Sequence, residues 1–155
     1  MKKTLKIISI VFFVAFVAIQ FYRPDRTTPP IVEAETLESS MQVPENIEQI
    51  LTGSCNDCHT YKTNYPWYAN ISPPSLFLAS HIDDARRELN LSIWNTYETR
   101  RKSRKLDEIC EQVTLKYMPL PSYLWIHWDA KLSDEDIKIL CDWTEREKAR
   151  LTESQ

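Results

Sequence analysis

Apolar residues recur at helical spacing in four stretches of the chain and predict four helices. The first stretch follows Pro44 and places Ile47, Ile50 and Leu51 on one face. The second would be capped by Ser72 and the fourth by Ser133, which has Asp136 three positions later. The apolar faces of the last three are Leu78, Ile82, Ala85 and Leu89; Leu106, Ile109, Cys110 and Val113; and Ile137, Leu140, Cys141 and Thr144. Because no segment alternates as a strand does, the sequence predicts an all-α protein.

The N-terminus carries a long apolar run that predicts an export signal. Lys2, Lys3 and Lys6 precede residues 7–22, where only Ser9 and Gln20 are polar. We expect residues 1–22 to be an uncleaved signal anchor that crosses the inner (cytoplasmic) membrane once as a transmembrane helix. The positive-inside rule then leaves the lysines in the cytoplasm and the rest of the chain in the periplasm.

A cleaved signal peptide, which would release the chain into the periplasm, is the alternative. The best cleavage site, after Ala18, has the bulky Phe16 at a position where a small residue is needed. Residues 23–44 hold four prolines without apolar periodicity and predict a Pro-rich tether. Residues 45–150 then form one small domain.

Composition excludes two classes of function. Gly53 is the one glycine in 155 residues, so the Gly-rich loops that bind nucleotide phosphates are absent. The formal net charge is −3, and basic residues concentrate near the N-terminus, which leaves the predicted domain more acidic still. We therefore expect neither a nucleotide nor a nucleic acid as partner.

Residues 55–59 read Cys-Asn-Asp-Cys-His, the C-x-x-C-H arrangement typical of covalent haem attachment. On one helical turn, the thiols of Cys55 and Cys58 can reach two vinyl groups of one porphyrin, while His59 rises toward the iron as axial ligand. The motif predicts one haem c. A zinc site or a dithiol redox module is the alternative, although each lacks its usual context: a second ligand pair for zinc, or a preceding buried strand for the dithiol.

Met118 is the favoured second axial ligand. It lies 59 positions after His59 in the extended loop Tyr-Met-Pro-Leu-Pro, whose prolines keep the backbone out of a helix. A thioether ligand would raise the reduction potential, because soft sulfur favours ferrous iron. His81 and His127 remain open as alternative ligands, and each could equally be a hydrogen-bonded core histidine.

The sequence resembles the bacterial haem-binding domain family of cytochrome c-like proteins. Besides the C-x-x-C-H motif, the matching stretches are residues 64–68, 73–75, 86–92 with Trp94, 117–123, and 132–133. The resemblance covers nearly all of residues 45–145. It implies a periplasmic monohaem domain, cytochrome c-like in fold, with His59 and Met118 as axial iron ligands.

From these features we expect electron transfer between redox partner proteins at the membrane surface, with no catalytic acid or base and hence no enzyme activity. A haem peroxidase or a gas or redox sensor with a labile sixth ligand is the alternative. Residues expected around the haem, as walls or as partners of its carboxylates, are Tyr65, Trp67, Tyr68, Trp94, Tyr123, Trp125, Arg86 and Arg87.

Two further features have two interpretations each. The basic run 100–105 is either a solvated helix face or a docking patch for an acidic redox partner. Cys110 and Cys141, which the haem motif does not use, either form a disulfide after export or remain two buried thiols.

Overall fold

The computed structural model describes residues 2–153, which contain helices and no strands. The helices are α1 (Lys2–Ile19), α2 (Glu45–Ser54), α3 (Asn56–His59), α4 (Pro74–Glu88), α5 (Thr99–Thr114), α6 (Pro121–Leu124) and α7 (Asp134–Glu153). Short 3-10 turns occupy Glu33–Glu35, Trp67–Asn70, Leu91–Thr96 and Trp128–Ala130. The predicted all-α class is therefore confirmed.

The four predicted helices correspond to α2, α4, α5 and α7. At α7 the predicted cap is present, since Asp136 N–H donates to Ser133 Oγ at 3.1 Å and Ser133 N–H donates to Asp136 Oδ2 at 2.9 Å. The predicted cap of α4 is wrong. Ser72 is buried, its hydroxyl pairs with Ser75 Oγ at 2.9 Å, and the helix begins later, at Pro74.

Helices α5 and α7 pack against each other along their length and form the centre of the fold. The main core contains Leu106 and Val113 from α5, Leu140 and Trp143 from α7, and the three predicted apolar residues of α2. A disulfide joins Cys110 to Cys141 across these two helices, with their Cα atoms 4.9 Å apart. Of the two sequence interpretations, the structure shows the disulfide.

We expect the disulfide to contribute roughly 3–4 kcal/mol to the free energy of unfolding, because it closes a loop of 31 residues in the unfolded chain. Replacing both cysteines (Cys110→Ser with Cys141→Ser) should lower the urea midpoint accordingly. Urea titration followed by circular dichroism measures the shift. A free energy of unfolding within about 0.5 kcal/mol of wild type would contradict this contribution.

The second half of the predicted tether belongs to the packed domain. Leu37 is fully buried and Met41 is nearly so, and Leu37 N–H donates to the carbonyl of Leu91 at 2.9 Å. Gln42 is joined to α7 twice, because its carbonyl accepts from Trp143 Nε1 at 2.7 Å and its N–H donates to Glu147 Oε2 at 3.1 Å. The proline pattern missed this segment because its apolar residues are few and belong to no regular helix.

Helix α1 is apolar, and none of its residues is buried against the rest of the chain. No helix among the described residues is long and apolar enough to cross a membrane, so the predicted transmembrane helix is not supported. The 18 residues of α1 span about 27 Å, slightly less than the roughly 30 Å hydrocarbon core of a bilayer. They also include the three N-terminal lysines, Lys2, Lys3 and Lys6. After α1, Gln20 Nε2 donates to the Ser72 carbonyl at 2.8 Å.

Candidate functional site

The C-x-x-C-H motif forms the turn that directly follows α2. Cys55 N–H donates to the Leu51 carbonyl at 2.9 Å, and His59 N–H donates to the Cys55 carbonyl at 3.0 Å. The buried face of α2 fixes this turn to the main core. Cys55, Cys58 and His59 are thus held on one short piece of backbone, as the sequence predicted.

The His59 ring is oriented by a backbone carbonyl 30 positions away. Its Nδ1 lies 2.9 Å from the carbonyl oxygen of Leu89, which can only accept, so Nδ1 carries the proton. Burial lowers the pKa of His59, although this hydrogen bond partly opposes the effect. The ring is therefore neutral at physiological pH, and Nε2 has a lone pair for a metal ion.

The two motif thiols do not have the properties of a redox dithiol. Burial raises the pKa of Cys55 to about 12, and burial together with the Asp57 charge raises the pKa of Cys58 to about 11. A catalytic or redox-active cysteine has instead a lowered pKa and an electropositive environment. Within residues 2–153, no three His, Cys, Asp or Glu side chains are grouped to hold a metal ion, as a structural zinc site requires.

Two cavities border His59 in the described part of the chain, with volumes of about 210 and 290 Å³. Both are lined by Cys55, His59 and Met118, and Cys58 lines the smaller one. Met118 comes from the loop after α5, where its N–H donates to the Gln112 carbonyl at 3.2 Å. The structure thus brings all four predicted site residues to one place.

The sequence model of a haem-binding domain matches residues 14–146 of this chain. The chain belongs to the haem-binding domain family. No curated protein and no solved structure matches it.

The side chains at the two cavities fit a haem. The cavity walls are largely apolar, the neutral His59 presents an unprotonated Nε2, and a thioether and two protonated thiols border the same space. An imidazole and a thioether are ligands that haem iron accepts, and free thiols are the groups that add to haem vinyls. The residues that would hold the haem are therefore Cys55, Cys58, His59 and Met118.

Of the two histidines that sequence analysis left open as iron ligands of this haem-binding domain, one borders the site and the other does not. His81, on α4, lines the smaller cavity together with His59, and its Nδ1 donates to the Phe77 carbonyl at 2.8 Å. His127 lines neither cavity. Its ring stacks on Tyr123 at 4.1 Å, and its Nε2 is hydrogen-bonded to the Tyr68 hydroxyl at 2.9 Å. Only His81 therefore remains beside the site as an alternative to Met118.

Most of the aromatic residues that were predicted to surround the haem line neither cavity. Tyr123 lines the smaller cavity, while Tyr65 and Tyr68 pack beside Cys58 in a small second cluster. Trp94 is fully buried in the main core and borders neither cavity. Trp67 and Trp125 are 72% and 84% exposed, so they cannot serve as buried walls. The sequence could not rank these aromatics because each has an apolar ring that suits a core or a surface patch.

The two arginines expected beside the haem line neither cavity. Arg86 donates from Nε to the Thr60 carbonyl at 2.9 Å and from Nη2 to Thr63 Oγ1 at 2.8 Å, and so fixes the loop after the motif. Arg87 forms an exposed ion pair with Asp84. The contribution of Arg86 to this site is therefore structural, through the backbone that follows His59.

Lys105 is the cation beside the site. It belongs to the basic run 100–105, which the sequence suggested to be a solvated helix face or a docking patch. Lys105 is 7% exposed, lines the larger cavity, and contacts the carboxylates of Glu108 and, at 3.6 Å, Glu88. Lys102 of the same run is also buried. Both interpretations placed the whole run at the surface, which is wrong for Lys102 and Lys105. Arg100 and Arg104 are exposed, and docking of a redox partner stays a prediction. The sequence did contain a signal for the burial of Lys102, because Lys102, Leu106, Ile109 and Val113 recur at helical spacing on α5.

Proposed function

We propose that this haem-binding domain is a monohaem c-type cytochrome that transfers electrons. The proposal rests mainly on one observation: His59 and Met118 border the same two cavities beside the half-buried thiols of Cys55 and Cys58. When bound, the haem supplies an iron that accepts and releases one electron. Cys55 and Cys58 would attach it covalently, so that it stays bound in either oxidation state.

The chain's own residues would favour electron transfer over ligand chemistry. The Leu89 carbonyl holds His59 in one tautomer and one orientation, which limits rearrangement when the charge at the site changes. Met118 would hold the sixth position of the iron, where a small molecule would otherwise bind. A His and Met pair of ligands also favours a relatively high reduction potential.

Optical spectra of the full chain, matured in a host that attaches haem c, test this proposal. We expect a low-spin spectrum with the weak near-infrared sulfur-to-iron band, unchanged by carbon monoxide or peroxide on mixing. High-spin iron that binds either reagent promptly would contradict electron transfer as the function. Absence of covalent haem would contradict the c-type assignment itself.

A haem peroxidase or a gas or redox sensor is the second candidate, and His81 is the observation that favours it. Its ring borders the same cavity as His59, and its hydrogen bond to the Phe77 carbonyl uses only Nδ1. Nε2 is left to interact with a molecule bound in that cavity. In this candidate Met118 leaves the iron readily, so peroxide or carbon monoxide would react with the wild-type chain.

We further propose export to the periplasm, with retention at the inner membrane through the apolar residues 7–22. The lysine-rich start, the exposed apolar surface of α1 and a disulfide suited to an oxidising compartment support it. Cell fractionation followed by intact mass measurement tests both points. A full-length chain in the membrane fraction is expected, a shortened periplasmic chain would indicate a cleaved signal, and a cytoplasmic chain would contradict export.

A further inference from the structure

Asp57, inside the C-x-x-C-H motif, receives two hydrogen bonds from outside it. Its Oδ1 accepts from the Asn64 N–H at 2.9 Å, and its Oδ2 accepts from the Tyr123 hydroxyl at 3.2 Å. Asp57 and Tyr123 both line the smaller cavity with His59 and Met118. The carboxylate therefore lies at the site without belonging to the expected iron ligands or attachment residues.

The bond to Tyr123 joins two parts of the chain that must stay together if Met118 is to be an iron ligand. Tyr123 lies in α6, five positions after Met118, whereas Asp57 lies between Cys55 and His59. Within the described residues, no other hydrogen bond connects residues 117–124 to residues 55–59. Otherwise both segments line the smaller cavity, whose largely apolar walls supply little directional preference.

A stacking contact also holds the ring of Tyr123 in place. The ring stacks on His127 with 7° between the two planes, and His127 is in turn hydrogen-bonded to Tyr68, which packs beside Cys58. Burial and the Asp57 charge raise the pKa of Tyr123, so its hydroxyl keeps the proton that it donates. A hydrogen bond to a charged acceptor is stronger than one between neutral groups.

We propose that the Asp57–Tyr123 hydrogen bond is a latch that keeps the Met118 segment closed over the haem motif. Asp57 and Tyr123 are then positioning residues, which act through Met118. The proposal rests on the proposed role of Met118 as axial ligand. When the latch is broken, residues 117–124 move away more often, and the sixth position of the iron opens more often.

Tyr123→Phe tests the latch, since it removes the hydroxyl and retains the ring that stacks on His127. Carbon monoxide can bind the ferrous protein only while Met118 is away, so its binding rate reports the open fraction. We expect that rate to rise about tenfold, the effect of losing one hydrogen bond to a charged group. The ferric sulfur-to-iron band should weaken, and the melting temperature should fall by only several degrees, as the loss of one hydrogen bond predicts.

Tyr117→Phe is the matched control, because it makes the same substitution one residue from Met118 at a side chain that is 59% exposed. It should leave the band and the carbon monoxide rate unchanged. A double-mutant cycle of Tyr123→Phe with Asp57→Ala should be strongly non-additive, because either variant alone breaks the same bond. Additive effects would overturn the latch, since the two residues would then act separately.

These measurements distinguish a failure of the latch from a failure of the proposed function on which it rests. If wild type shows the sulfur-to-iron band and Tyr123→Phe equals Tyr117→Phe, the latch is wrong and ligation by Met118 stands. If wild type lacks the band and binds carbon monoxide at once, ligation by Met118 is wrong and the latch is overturned with it.

Discussion

Replacing Cys55 and Cys58 together by serine is expected to abolish covalent haem attachment completely. A serine hydroxyl does not add to a haem vinyl as a thiol does, so no thioether can form. The His59 ring and its bond to Leu89 are untouched, and any remaining haem would be held only by coordination and burial. Denaturing electrophoresis with a haem stain, and intact mass measurement, should show a chain without the added mass of haem.

The second cysteine pair provides a matched control for this variant. Cys110→Ser with Cys141→Ser makes the same two substitutions at residues that form the disulfide and border neither cavity. This variant should retain covalent haem and lose only stability. Haem that remains bound to the Cys55 and Cys58 variant through denaturation would show that another group attaches it.

Replacing Met118 is expected to give the largest change in reduction potential. Met118→Leu removes the thioether and retains most of the volume that packs against the main core, while Met118→Ala removes both. The potential should fall by on the order of 0.1 V, a fraction of the roughly 0.8 V range that axial ligands cover. Both variants should lose the sulfur-to-iron band and bind carbon monoxide promptly.

Two controls test whether the Met118 thioether itself holds the sixth position of the iron. Met41→Leu makes the same substitution at a buried methionine that borders neither cavity, so its potential and spectra should match wild type. Combining Met118→Leu with His81→Ala tests whether His81 takes the vacated position. If Met118→Leu itself has wild-type potential and carbon monoxide reactivity, His81 or another group is the sixth ligand.

The sequence by itself determined four of the helices and the attachment motif. Periodicity located α2, α4, α5 and α7, because an amphipathic helix repeats its apolar residues over a few positions that are visible in any short window. The capping box at Ser133 is equally local, since both of its partners lie within four residues. The C-x-x-C-H motif needs only five residues, so its chemistry could be predicted without knowing the fold.

The tertiary structure alone decided which distant residues meet. The Leu89 carbonyl contacts His59 across 30 positions, Tyr123 contacts Asp57 across 66, and Lys105 lines a cavity although its neighbours in sequence indicated a solvated surface. Such contacts depend on how helices pack, and packing is set by the fit of whole faces, which a local pattern does not specify. The Cys110–Cys141 disulfide formed for the same reason, since α5 and α7 present those two residues to each other.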